Sequence, residues 1–278
     1  PTLVFGCRGI TSMTITTFGP VVPQHSGHYG NYAPNPGWRL IHLLDGMKDS
    51  QGLVKIKGYY DGIELDAETK KVLSQVPDDI TTIHGRLQIA DPDKVGSNYQ
   101  ESLQYPSLNI RGMSSGWVGK EARTIVPESA TAELDLRLVV ETDGRRLQGL
   151  VKDHLKSQGY EIVDQIPDKK MRLKEPNLVL VKEGSVTDAF RTDLDNPFGI
   201  WLEGILTHSF NEDVVKIRTM GGTVPIAPFI NALDIPAFIV PMVNPDNNQH
   251  SPNENLKISQ INYGIKLFYQ MLTTEYKP

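Results

Sequence analysis

Thr131-Ala132-Glu133-Leu134-Asp135-Leu136-Arg137-Leu138-Val139-Val140 alternates apolar or small residues with polar ones. That is the period-two pattern of a strand with one buried face. Ala132, Leu134, Leu136 and Leu138 belong to the core side, with Glu133, Asp135 and Arg137 on the other. The period then changes. Residues 144–157 place Leu147, Val151 and Leu155 on one side of a helix, and Gly159 provides its stop. Working outward, residues 107–113 and 10–18 also alternate, Met13 and Ile15 against Thr14 and Thr16. Residues 36–48 form an amphipathic helix with Leu40, Ile41, Leu44 and Met47 on one face, and 161–166 read as a further strand. The resulting order of strand, helix, two strands, helix and strand is that of a ferredoxin-like α+β sandwich. Residues 50–106 are polar and turn-rich and read as an insertion, while 170–196 lead into a helix over 197–209.

The chain opens with an apolar strand at Thr2 to Phe5 and closes with an α/β pattern. Val214 to Met220 reads as a strand that breaks into Gly221-Gly222-Thr223-Val224-Pro225. Thr223 is the expected cap and Pro225 the first-turn residue of a helix carrying Ile226, Phe229, Ile230 and Leu233, whose N-terminus would suit an anion. Ile235 to Val240 reads as a second strand and 241–249 as a loop. In His250-Ser251-Pro252-Asn253-Glu254, Ser251 and Glu254 form the pattern of a capping box. The helix predicted from it buries Ile261, Ile265, Phe268 and Leu272. His250 then precedes a helix at the carboxyl end of a strand, where open α/β sheets place ligands. A lone histidine before a helix is more often a structural loop residue than a ligand.

At 278 residues the chain has material for two domains. A net charge of -5 offers no basic stripe for nucleic acid, and nucleic-acid partners are excluded. One cysteine, Cys7, excludes an internal disulfide framework and a cysteine-based zinc site. No apolar run approaches the roughly 20 residues that span a bilayer, so a soluble, cytoplasmic chain without membrane partners is expected. Pro1 is not an initiator methionine, and processing or a boundary upstream is expected to have placed it there.

Five segments in this order resemble the dinuclear-zinc exopeptidases: Gly6-Cys7-Arg8-Gly9-Ile10; His25-Ser26-Gly27 with Asn35-Pro36; Thr124-Ile125-Val126-Pro127 running into Arg137-Leu138-Val139; Gly221 to Pro225; and His250 to Glu254. That family includes carnosinases and other dipeptidases, glutamate-releasing carboxypeptidases, aminoacylases, acetylornithine deacetylase and succinyl-diaminopimelate desuccinylase. The resemblance implies a ferredoxin-like lid, at about 8–222, inserted in an α/β catalytic domain of which 1–7 and 223–278 are the C-terminal part. It implies a homodimer formed through the lid, and a peptide or N-acyl amino acid as substrate.

By the same resemblance, His25 reaches the partner's active site and polarises the scissile carbonyl. Otherwise it is a loop histidine that caps the next helix. Arg137, with Thr124 nearby, clamps the substrate carboxylate, a task suited to a planar guanidinium; otherwise it is a surface cation balanced by acidic neighbours. Gly222 and Thr223 supply further hydrogen bonds to that carboxylate. His250 resembles the last zinc ligand and Glu254 the capping partner. His28, His42, His84, His154 and His208 take structural or surface roles.

Two zinc ions per complete site, replaceable by manganese or cobalt, are implied as cofactors. Such a centre needs about five protein ligands and a separate general-base glutamate. The family supplies them from a His-x-Asp pair, a Glu-Glu pair and another Asp, and neither pair occurs here. The chain is thus expected to be a lid plus a C-terminal catalytic segment, inactive alone, with apolar surface exposed where further sheet strands belong. A deacylase of N-acyl amino acids and a non-catalytic dimerisation module are the alternatives, the long insertion suiting dipeptidases better.

Overall fold

A computed structural model describes residues 1–277. The chain begins with strands β1 (Thr2–Val4), β2 (Gly6–Cys7), β3 (Gly9–Phe18) and β4 (Gln24–His25), then helices α1 (Ser26–Tyr29) and α2 (Pro36–Asp45). Helices α3 (Ala67–Ser74), α4 (Ile80–Leu87) and α5 (Tyr99–Ser102) precede strands β5 (Ser107–Ser114), β6 (Ile125–Val126) and β7 (Ser129–Leu138). Next come α6 (Gly144–Ser157), β8 (Glu161–Val163), α7 (Lys169–Lys174), β9 (Leu178–Thr187) and β10 (Phe190–Arg191). Helix α8 (Pro197–Phe210), β11 (Val215–Ile217), α9 (Ala227–Leu233) and α10 (Ile258–Thr273) follow. They form two compact units. A sheet unit comprises Gly9–Glu64 and Ile89–Asp188, and a terminal unit comprises Pro1–Arg8, Leu65–Gln88 and the stretch from Ala189.

In the sheet unit, five strands lie in the order β5-β7-β3-β9-β8. β3 and β7 pair antiparallel without interruption from Gly9↔Leu138 to Phe18↔Ser129. Period-two alternation therefore sends Met13 and Ile15 to the same face as Ala132, Leu134, Leu136 and Leu138. Helix α2 with Leu40, Leu43 and Leu44, Met47 just beyond it, and helix α6 with Leu147, Val151 and Leu155 cover that face, all buried. Asn35 caps α2, its side chain accepting from Gly37 N–H at 2.8 Å, and Asp143 caps α6 by accepting from Arg146 N–H.

The ferredoxin-like order is present, with two differences from the sequence reading. The strand beside β3 is β9, which the pattern over 170–196 did not disclose; β8 is confined to three residues at the outer edge, parallel to β9. Ile41 lies on the exposed side of α2, and Leu43 takes the core place beside Leu44.

The terminal unit is built on pairings distant in sequence. β1 runs parallel to β11, and Val4 exchanges both backbone hydrogen bonds with Ile239 at 2.9 Å. β2 pairs with β10, and Leu3 and Phe5 share a core with Leu202, Leu206 and Leu267. These contacts draw the boundaries differently from a lid at 8–222. Residues 189–222 join the terminal unit because β10, α8 and β11 are partners of the first strands, and 65–88, expected within the insertion, join it too.

Three further expectations for this unit are corrected. Residues 235–240 form no strand beyond the single bridge at Ile239. The helix after the double glycine starts at Ala227, with Ile226 at its N-cap and no side-chain capping bond, so Thr223 does not cap it. The Ser251–Glu254 capping box does not form. α10 starts later, at Ile258, and its Ile261, Ile265, Phe268 and Leu272 are exposed, while Gly264 and Leu267 form its buried line. Among the described residues no helix is long and apolar enough to cross a membrane.

Candidate functional site

His25 is the last residue of β4 and the N-cap of α1. β4 pairs antiparallel with β6, setting Gln24 against Val126 and His25 against Ile125, and Ser26 N–H donates to the Thr124 carbonyl at 3.0 Å. The structure thereby brings the His25 and Thr124 segments side by side. The His25 Nδ1 accepts from Gly27 N–H at 3.0 Å. In the neutral imidazole this leaves the proton on Nε2, which makes the exposed ring a hydrogen-bond donor, as a developing oxyanion requires. A Cβ at Gly27 would stand 2.9 Å from the His25 Cε1 and 3.0 Å from its Nδ1, a close approach that accounts for glycine at this place. The His28 ring lies 4.9 Å from that of His25, centroid to centroid. The capping role and the donor role of His25 are therefore compatible, one on each ring nitrogen.

Arg137 sits on the sheet face not covered by α2 and α6, paired with Ile10 on β3 and Ser107 on β5. Its Nε stands 3.7 Å from an Asp135 carboxylate oxygen, and Asp135 also accepts from the Asn109 amide at 2.8 Å. About two-thirds of the Arg137 side chain is shielded, although it lies on the face away from the core. Thr124 does not lie near Arg137. From Ser129 to Arg137 the uninterrupted ladder spans eight residues, about 27 Å at roughly 3.4 Å per residue. The His25–Thr124 pair lies beyond the Ser129 end, where Gly19 N–H donates to Glu128 O. The two ends of this unit therefore cannot meet on one small molecule.

The other candidates belong to the terminal unit. Met220 is bridged to β2, its N–H donating to Gly6 O at 2.8 Å and its carbonyl accepting from Arg8 N–H at 3.0 Å, which brings the chain to Gly222 and Thr223. A Cβ at Gly222 would meet only the Met220 methyl, at 3.7 Å, and the φ is not left-handed. Among the described residues nothing demands glycine there. Burial raises the Cys7 thiol above its ordinary pKa, which leaves it protonated and unreactive at neutral pH.

His250 is exposed in the 244–257 loop at φ 61°, with Asn253 likewise left-handed at φ 62°. Buried Asn244 organises this loop. Its amide donates to Asp246 at 2.8 Å and Asn255 at 3.1 Å, and its carbonyl oxygen accepts from Lys257 N–H at 3.0 Å. The signal for it was the Asn-Pro-Asp-Asn-Asn run, legible as a loop but not as a buried anchor. Among the described residues no three His, Cys, Asp or Glu side chains cluster closely enough to hold a metal ion. These residues alone do not fit a one- or two-metal centre, and Glu254 neither caps a helix nor joins a ligand set.

Residues 5–163 match the family model M20_dimer, described as a peptidase dimerisation domain. A Cys-Gly metallodipeptidase of Saccharomyces cerevisiae is 27% identical over 279 residues, which cover 96% of this chain and 54% of the relative. A Beta-Ala-His dipeptidase of Mus musculus is 26% identical over 278 residues, covering 96% and 53%. Among solved structures, an M20 family metallo-carboxypeptidase from Sulfolobus solfataricus shares the fold with a TM-score of 0.81, at 24% identity, over 98% of this chain and 59% of that one. The chain spans about half the length of the curated relatives it matches.

Proposed function

The chain belongs to the peptidase dimerisation-domain family of the M20 peptidases, and on that premise we propose that it is the lid-bearing part of a metal-dependent dipeptidase. The names of both relatives favour dipeptides over N-acyl amino acids as substrates. The observation that carries the reading is the separation of the His25–Thr124 pair from Arg137 along one uninterrupted ladder. A dipeptide is far shorter than about 27 Å, so the two ends serve two different sites, each completed by a second copy.

In this reading His25 donates its Nε2 proton to the carbonyl oxygen of a substrate held by the neighbouring subunit, where negative charge develops. Thr124 accompanies it. Arg137 pairs through its guanidinium with the free carboxylate of a substrate in its own subunit. Gly222, unencumbered by neighbours, and Thr223 donate to a substrate carboxylate. His250 contributes one ligand to a metal centre, zinc by this reading, whose remaining ligands come from outside these 278 residues.

The second copy docks at the β5 edge. β5 has no strand on its outer side among the described residues. Exposed Ile110, Met113, Trp117 and Val118 flank that edge, and a groove of about 300 Å³ beside it is lined by Trp38, Ile41 and Trp117. An unpaired edge with aromatic neighbours is a template for strand addition.

Mixed dimers test the shared site. In the whole protein, His25→Ala and Arg137→Ala homodimers are each expected to lose most turnover. Dissociated together in equal amounts and reassociated, they should recover about a quarter of wild-type turnover, because half of the dimers are mixed and each of those carries one intact site. No recovery on reassociation would place both residues in one subunit's site and overturn the reading.

A further inference from the structure

The place where the His25 strand leaves the sheet is held by two arginines from different helices. Arg39 of α2 donates through Nη1 to the Phe18 carbonyl at 2.9 Å, and Arg172 of α7 donates through Nη1 to the Gly19 carbonyl at 3.3 Å. The Arg172 guanidinium also lies 4.7 Å from the centre of the Phe18 ring, and its Nε donates to Pro167 O at 3.3 Å. Phe18 and Gly19 thus have their outward carbonyls tied by charge-assisted hydrogen bonds at the point where β3 stops pairing.

Gly19 itself is enclosed. A Cβ there would stand 2.5 Å from Pro127 O, 2.7 Å from Pro36 Cδ and 2.9 Å from Pro34 O. Pro127 lies three residues beyond Thr124, Gly19 lies six before His25, and Gly19 N–H donates to Glu128 O at 2.9 Å. The β4–β6 pair therefore departs from a closely packed junction with no room for a side chain at Gly19. Thr17 adds a bond from its hydroxyl to Pro36 O at 2.8 Å, fixing the start of α2 to the same strand end. The segment carrying His25 is short and exposed, so its placement has to be set at this base.

We propose that Arg39 and Arg172, closing on Phe18 and Gly19, are positioning residues that set the angle of the β4–β6 pair and hence the placement of His25 in the neighbouring subunit's site. The inference rests on the role given to His25 above. Neither arginine touches substrate; both act through the strand that carries the histidine.

The test is a double-mutant cycle in the whole dimeric enzyme. Arg172→Gln is expected to lower kcat roughly 10- to 100-fold, the scale on which small misplacements of a catalytic group act, with KM, dimer mass and metal content unchanged. Arg172→Lys should restore part of the loss. On a His25→Ala background, Arg172→Gln should cost nothing further, because the group it positions is gone. A full additional loss on that background, or an unchanged kcat in the single variant, overturns the positioning role while leaving His25's role intact. An unchanged turnover in His25→Ala alone overturns the functional reading itself. Should Arg172→Gln fail to assemble, Arg39→Gln is read in its place, and failure of both to assemble makes the junction a purely structural anchor and overturns the proposal.

Discussion

The sheet unit and the terminal unit solve the burial of apolar surface in different ways. In the sheet unit, two ten-residue strands pair without interruption and two amphipathic helices close over one face, leaving Leu134, Leu136, Leu147 and Val151 fully buried. In the terminal unit the strands run two or three residues, and the core gathers a few aromatic and aliphatic side chains around Leu3 and Phe5. Its last helix keeps Ile265, Phe268 and Leu272 at 64%, 52% and 84% exposure. A helix apolar on more than one side belongs between layers, so α10 has the composition of an element with a second partner. The first unit closes one face of its sheet with its own helices, and the second leaves an apolar helix face exposed.

That contrast can be broken at its strong end first. Leu136→Ala, at a fully buried position in the centre of β7, should destabilise the sheet unit by about 2–5 kcal/mol through lost transfer energy and a residual cavity. Denaturant unfolding measures it, and a loss below about 1 kcal/mol would mean that this core is loosely packed.

A smaller effect comes from His154, on α6 against the C-terminal end of α2. Its ring hydrogen-bonds the Leu43 carbonyl, its Nε2 is buried without a partner, and burial lowers its pKa, with Lys55 adding to the shift. Between its folded pKa and the ordinary value near 6.5 the unfolded chain binds more protons, so stability rises with pH there. The contribution is complete above about pH 6.5 and is lost as pH falls towards the folded pKa. His154→Gln should flatten this part of the stability profile, and an unchanged slope would remove His154 from the linkage.

The smallest change is expected on α10. Leu272→Ser should alter the stability of this chain by less than about 0.5 kcal/mol while reducing its self-association in light scattering. A loss of several kcal/mol would show the exposed stripe to be packed after all and erase the contrast between the units.

What was legible follows the same division. Alternation over 131–140 and helical spacing over 144–157 located β7 and α6, because one face of each is buried by its own unit and the pattern records it. The His25-Ser26-Gly27 loop was legible as a candidate, but the division of its imidazole between Gly27 and an open Nε2 was not. β9 was missed although Leu178-Val179-Leu180-Val181 is a plain apolar run, since its place beside β3 depends on a partner more than 160 residues earlier. At 250–254 the capping pattern was present, yet Asn244 holds the loop in another conformation through long side-chain bonds. Arg39 and Arg172 carried no local signal, being one arginine on each of two helices.

The sequence by itself determined the α+β character of the sheet unit, its two core-facing periods, the family resemblance and the candidate chemistry of His25, Arg137 and His250. All of these reside in residue type and short spacing. Tertiary structure alone decided that Thr124 stands with His25 rather than Arg137, that 189–222 belong with the first strands, and that the stripe of α10 faces outward. Each depends on strand register and on partners far along the chain, and hydrogen bonding between distant segments, not local propensity, sets which residues become neighbours.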